Sequence, residues 1–186
     1  MRGKRILGRA AAVFGAVLMA NAGLGGVGAH AEASGGRAAD RAATSAEANV
    51  YRLVNVNSGR CAGVGGSSLE KGAAVIQWDC LDIDDQAWTF VYMGGYHYHL
   101  ENVNSGQCLT VSTPAGDGAR VVQLPCRSHP HQGWRLDKDG QNLRFVNYDP
   151  KMNLAVVDSA TGNGAPLILA EPGTRASEVW TLIAVG

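Results

Sequence analysis

The sequence predicts an all-β domain assembled from three copies of one unit of about 46 residues, with about twelve short strands in all. Two markers carry the repeat. Gly72, Gly118 and Gly164 stand 46 residues apart, and Trp88, Trp134 and Trp180 keep that spacing, with 16 residues from glycine to tryptophan in every copy. The third observation is composition: the apolar runs are short, rich in Val, Ile, Tyr and Trp, and bounded by turn-forming clusters such as "NSG", "GGSS", "PAGDG" and "TGNG". A helical repeat would instead place apolar residues at spacings of three and four. A propeller typically needs four to eight blades.

The first 31 residues read as a secretory signal peptide. Arg2, Lys4, Arg5 and Arg9 form a basic head, the run "AAAVFGAVLMANAGLGGVGA" follows, and "AHA" offers a cleavage site after Ala31, with "AEA" (Ala33) as the near alternative. A membrane anchor is the competing reading, but Asn21 and four glycines dilute a run that would need about 20 predominantly apolar residues. No cysteine near the cut invites a lipid anchor. Secretion to the outside of the cell is therefore expected, with no membrane association after cleavage. Removal of four basic residues leaves twelve against sixteen acidic ones, a net charge of −4, which disfavours a nucleic-acid partner.

Residues 32–49 mix Ala, Gly, Ser and charges with almost no bulky apolar side chain, the composition of a flexible lead-in. Copy one follows over about 50–92, copy two over 97–138 and copy three over 143–185. Their openings, "YRLVNVNSGRCAGV", "YHLENVNSGQCLTV" and "LRFVNYDPKMNLAV", align on Asn55, Asn102 and Asn147. Their middles, "GAAVIQWDC", "GARVVQLPC" and "GAPLILAEP", align without a gap. Each copy offers about four strand-like runs, in copy one "YRLVNV", "CAGV", "AVIQW" and "AWTFVY"; "GVGGSS" is read as a turn between strands. No copy could bury its apolar face alone, so the three must share one core spanning 50–185.

The phrase "QAW" at Gln86 to Trp88, its return as "QGW" at Gln132 to Trp134, the triple period and the cysteine placement together resemble the ricin B-type lectin domain, of the secreted bacterial, carbohydrate-binding-module-like kind. The resemblance implies a β-trefoil, and it covers nearly all of the chain after the leader. Copy three departs with "EVW", Glu178 to Trp180. Trp88, Trp134 and Trp180 are read as structural core, because one large side chain repeated about a pseudo-threefold axis can fill a barrel. Gln86 and Gln132, each with one acceptor and two donors, suit the exposed backbone groups at a strand start. Glu178, if ionised, can only accept.

Four cysteines in a secreted chain should be oxidised, and repeat symmetry chooses the pairing. Cys61 and Cys80 occupy the places in copy one that Cys108 and Cys126 occupy in copy two, which predicts Cys61–Cys80 and Cys108–Cys126. Copy three has Asn153 and Pro172 there, both members lost together. A four-thiolate metal site lacks a CxxC pair.

The resemblance implies shallow sugar pockets, up to one per repeat, with galactose-like or other sugars as ligands. In the family an Asp commonly sits two residues after the first cysteine; here Gly63, Thr110 and Ala155 hold those places. The aromatic position, two before the second cysteine, holds Trp78, Leu124 and Ala170, and the family's Asn before QxW is replaced by Asp85, His131 and Ser177. Only copy one keeps an aromatic candidate, and only it has an acidic cluster, Asp79, Asp82, Asp84 and Asp85. The sequence therefore points to carbohydrate binding at copy one, with Trp78 stacking on a sugar ring and Asp82, Asp84 or Asp85 accepting from its hydroxyls. A packed surface tryptophan beside a solvated loop is the plainer alternative. Asp158 reads as a turn-stabilising carboxylate.

No catalytic constellation is visible: there is no GxSxG, HExxH or phosphate-binding glycine loop, and the acidic cluster shares one loop that promises no shielding for a hydrolytic pair. No enzyme activity, cofactor or accompanying catalytic domain is expected. Nothing in the sequence joins the pair His97 and His99 to His129 and His131, so no metal is expected either. Two functions compete. One is a secreted carbohydrate-binding, lectin-like protein. The other is a trefoil with decayed sugar pockets, acting as a protein-interaction or inhibitor module through a loop such as "STPAGDG" or "RSHPHQG". No motif sets the oligomeric state or names the sugar.

Overall fold

The computed structural model describes residues 49–186; the expected leader, its expected cleavage site and residues 32–48 of the expected lead-in lie outside them. Twelve strands form, four per copy, and among the described residues there is no α-helix. Copy one contributes β1 (Val50–Asn55), β2 (Cys61–Val64), β3 (Val75–Trp78) and β4 (Trp88–Gly94). Copy two contributes β5 (His97–Asn102), β6 (Gln107–Val111), β7 (Val121–Pro125) and β8 (Trp134–Asp139). Copy three contributes β9 (Asn142–Asn147), β10 (Asn153–Val156), β11 (Leu167–Ala170) and β12 (Trp180–Ala184). In "GVGGSS", Gly63 and Val64 belong to β2, and the turn proper is the single 3-10 turn Gly65–Ser67.

The first and fourth strands of the copies pair antiparallel in the cyclic order β1, β4, β5, β8, β9, β12 and back to β1, a closed barrel of six. Closure leaves the barrel without a free edge. The second and third strands form the hairpins β2–β3, β6–β7 and β10–β11, which meet one another through bridges Ala74 to Val122, Ile76 to Pro166 and Arg120 to Ile168. A six-stranded barrel capped by a triangle of three hairpins is a β-trefoil.

Each repeated residue has a repeated job. Trp88, Trp134 and Trp180 start the fourth strands and are fully buried with Leu53, Leu100 and Phe145, which precede the aligned asparagines by two residues. Their indole N–H groups donate to the carbonyls of Ala62 (3.0 Å), Leu109 (2.9 Å) and Leu154 (3.0 Å), satisfying a polar atom that would otherwise be stranded in the core. The asparagines join copies: Asn102 donates to the Asp85 carbonyl, Asn147 to that of His131, and Asn55 to that of Ser177.

The repeated glycines close the other ring. Gly72, Gly118 and Gly164 all have positive φ (86°, 76° and 84°), a conformation that favours glycine. Their N–H groups donate to the carbonyls of Gln123, Leu169 and Gln77, from copy one to two, two to three and three to one. The alanines that follow accept in return from the same three residues. The 46-residue period is thus the spacing at which one hairpin can hand a hydrogen-bonded pair to the next.

Disulfides Cys61–Cys80 and Cys108–Cys126 are formed, and no cysteine is free among the described residues. Gln86 accepts from the Leu81 N–H and donates to the Asp79 carbonyl, while Gln132 does the same with Arg127 and Pro125. In copy three the buried Glu178 accepts from the Gly173 N–H at the same place, but meets side chains elsewhere: Asn153 at 2.8 Å, Arg175 at 2.6 Å and Arg144 at 3.1 Å. Burial alone would push its carboxyl up. Hydrogen bonds from Asn153, Arg175 and the Gly173 N–H, with the Arg175 charge, outweigh that and hold it below the ordinary carboxylate range.

Candidate functional site

Each copy carries a pocket at the equivalent place, between its second and third strands and the turn before its tryptophan. In copy one the pocket, of about 260 Å³, lies over β2 and β3. Alternation along β3 buries Val75 and Gln77 and turns Ile76 and Trp78 outward onto the pocket wall. Trp78 is 43% exposed, and its ring lies against Gly164 of copy three. Leu81, Ile83 and Val64 complete a largely apolar lining.

Of the four carboxylates in the acidic cluster, one belongs to this pocket. Asp85 lines it and is only 7% exposed, because the 3-10 turn Asp84–Gln86 directs it inward and Asn102 holds its carbonyl. Its Oδ2 accepts from the Ser67 hydroxyl at 2.6 Å; its Oδ1 is buried with no hydrogen-bond partner. Asp84 is exposed and outside the lining. Asp82, with a side chain 94% exposed, pairs with Arg52, and Asp79 with Arg60 and Asn163. The structure therefore brings Trp78 and Asp85 together and leaves Asp82 and Asp84 outside.

Ser67 was not among the residues singled out in the sequence. It sits at φ 50°, a left-handed conformation unusual for serine, and this aims its hydroxyl at Asp85. The signal was present in copy three, where Ser159 and Ser177 hold the equivalent places with their hydroxyls 2.9 Å apart. Gly63, at the family's Asp position, lies too close to its neighbours for a side chain: a Cβ built there falls 2.8 Å from Gln86 Cγ.

The pocket of copy two, about 380 Å³, is lined by Thr110, Leu124, His131 and Arg127 among others, and that of copy three, about 280 Å³, by Ala155, Ala170, Asp158 and Ser177. Neither has an aromatic face at the Trp78 position. Asp158 lies in a turn at φ 50°. Apart from these, His97, His99 and His129 line one cleft with Tyr148, a convergence that the sequence did not reveal. His99 is buried, and that burial lowers its pKa against the pull of Glu101. Among the described residues no group of three His, Cys, Asp or Glu side chains is placed to hold a metal ion.

The family described as the ricin-type beta-trefoil lectin domain matches residues 49–180, which take in the three hairpins and every barrel strand but β12, reached only at its first residue, Trp180. The chain belongs to that family. Solved structures agree with this ricin-type trefoil. The designed threefold-symmetric protein ThreeFoil is 30% identical, with a TM-score of 0.72 over 73% of this chain and 99% of its own. An exo-beta-1,3-galactanase from Clostridium thermocellum is 25% identical, with a TM-score of 0.72 over 74% of this chain but only 30% of the enzyme. A ricin B-like lectin of Macrolepiota procera, solved with lactose, shares the fold at 22% identity, with a TM-score of 0.64 over 73% of this chain and 95% of its own. No curated protein matches the chain. Membership of this lectin family supports carbohydrate binding as the general function.

Proposed function

We propose that the protein is a secreted, non-catalytic lectin that holds a sugar mainly through its first repeat. One observation carries the reading: in this pocket alone, an exposed aromatic face, Trp78, stands beside a buried carboxylate, Asp85. Trp78 stacks on the C–H face of a sugar ring, and Asp85 accepts from a donor on that ring, the combination of apolar wall and few placed polar groups expected of a small-molecule site. Gln86 and Ser67 hold the carboxylate loop in place from either side. The carbohydrate is a glycan or polysaccharide met outside the cell, and the net charge of −4 after leader removal speaks against nucleic acid.

A second reading draws on a specific feature. The pockets of copies two and three lack both groups, as expected of a trefoil drifting toward protein interaction or inhibition. A glycan and polysaccharide array decides between them, with the full chain run beside a Trp78→Ala variant of unchanged melting temperature. Binding lost in the variant supports the one-site lectin; silence across the array sinks it and leaves the interaction module.

A further inference from the structure

We infer that the first-repeat pocket prefers a sugar bearing a protonated amine over its neutral counterpart; this rests on the lectin reading above and names its ligand class. The starting point is the unsatisfied carboxylate. Asp85 is 7% exposed, lines the pocket, and has one oxygen without any hydrogen bond. A carboxylate withdrawn from water is costly unless a donor or a cation compensates it. Among the described residues no ion pair reaches Asp85, and its one side-chain partner is the neutral Ser67 hydroxyl.

The two arginines that pair with this segment do so through other carboxylates, and neither lines the pocket. Arg52 is paired with Asp82 and Arg60 with Asp79, so both guanidiniums face other carboxylates of the same segment. Residues 79–85 thus carry four carboxylates against two engaged guanidiniums, leaving a negative local field. That field attracts an ammonium ion and repels an acidic sugar.

The walls agree with this choice. Val64, Ile76, Leu81 and Ile83 offer no hydrogen bonds from their side chains to a ring rich in hydroxyls. Trp78 presents an aromatic face, which attracts a cation as well as ring C–H groups. A hydroxyl would give Asp85 one neutral hydrogen bond, whereas an ammonium gives charge-assisted ones, which are about twice as strong. Copies two and three lack this arrangement, because His131 and Ser177 stand at the Asp85 position and the carboxylates lining the pocket of copy three, Asp117 and Asp158, are exposed.

The test uses three β-1,4-linked glucose oligomers of one length that differ only at carbon 2: hydroxyl, N-acetyl and free amine. Calorimetry with the full chain at about pH 6, where the amine is protonated, and at low salt should show the amine form binding at least about tenfold more tightly than the other two. High salt should shrink that ratio. Asp85→Asn should bring it to within about twofold. Asp85→Ser should do the same, and because it reproduces the Ser159–Ser177 pair of copy three it should fold. Equal or tighter binding of either neutral oligomer, a preference surviving in both variants, or no binding by the amine form would each overturn the inference. The array with Trp78→Ala judges the lectin reading separately, since a neutral glycan bound there and lost in the variant would keep that reading while this one falls.

Discussion

Asn153 donates its side-chain amide to Glu178 at 2.8 Å, where copies one and two instead have a half-cystine and a glutamine. Copy three lost a disulfide and a neutral amide and replaced them with a buried carboxylate ringed by Asn153, Arg144, Arg175 and the Gly173 N–H. A buried charge so fully bonded is stable only as a set.

Glu178→Gln, although it restores the residue of the other copies, should therefore destabilise the domain by about 1–3 kcal/mol, since Asn153, the Gly173 N–H and two arginines lose a charged acceptor while Arg144 keeps Asp139 and Arg175 is half exposed. The pH dependence has a definite sign. With the folded pKa of Glu178 below its ordinary value of 4.5, its contribution is fully present above that pH and is lost as pH falls through the folded value. Urea titrations from neutral to acid pH should show this loss in the parent and a shallower one in the variant. Equal slopes would mean that Glu178 is not the group responsible.

Replacing any one tryptophan with phenylalanine strands a core carbonyl. Trp88→Phe, Trp134→Phe and Trp180→Phe should each cost about 1–3 kcal/mol from that carbonyl alone, with similar midpoint shifts because their partners Ala62, Leu109 and Leu154 are equivalent. Denaturant unfolding of the three variants measures this. A negligible loss at Trp180 would break the symmetry argument.

The two disulfides should separate stability from binding. Replacing either pair with alanine should cost about 3 kcal/mol by chain entropy. Cys80 lies between Trp78 and Leu81, so its loss should also weaken sugar binding at the first repeat, whereas loss of Cys108–Cys126 should not. Calorimetric binding beside thermal melts would distinguish the two variants.

Restoring the family's aspartate at Gly63 should fail. The Cβ meets Gln86 Cγ at 2.8 Å, so Gly63→Asp should destabilise by about 1–3 kcal/mol and weaken, not improve, sugar binding. Improved binding at unchanged stability would show that Gln86 yields freely.

His99 supplies a second pH test. Burial depresses its pKa, opposed by Glu101, so the neutral ring stabilises the fold above the ordinary value of 6.5, and this is lost as pH falls through the lowered value. An NMR titration should find His99 titrating below 6.5, and His99→Leu should remove that part of the acid sensitivity. A pKa at or above 6.5 would contradict the burial argument.

The repeat, the strands and the disulfide pairing were legible because each rests on residues recurring at fixed spacing. The "GA" dipeptides, the asparagines and the tryptophans recur because each makes the same bond in every copy, the first two to a neighbouring copy and the tryptophans within their own, and a closed ring imposes one period on all its members. The candidate site was only half legible. Trp78 stood out through its place two residues before Cys80, the aromatic position of the family it resembles, but the sequence left Asp82, Asp84 and Asp85 as equals.

Tertiary structure decided among them. Asp84 and Asp85 are chain neighbours, yet a 3-10 turn and a hydrogen bond from Asn102, 17 residues away, turn one outward and bury the other. The network around Glu178 was equally hidden, its donors Asn153 and Arg144 lying 25 and 34 residues away on other strands. The sequence by itself determined a threefold β-domain and its covalent ties, because periodic burial and paired cysteines are written locally in each copy. Which carboxylate enters the pocket, which histidines share a cleft and what replaces the missing disulfide were settled only when closure of the barrel set distant backbones at fixed distances, since an isolated loop carries no information about what will pack against it.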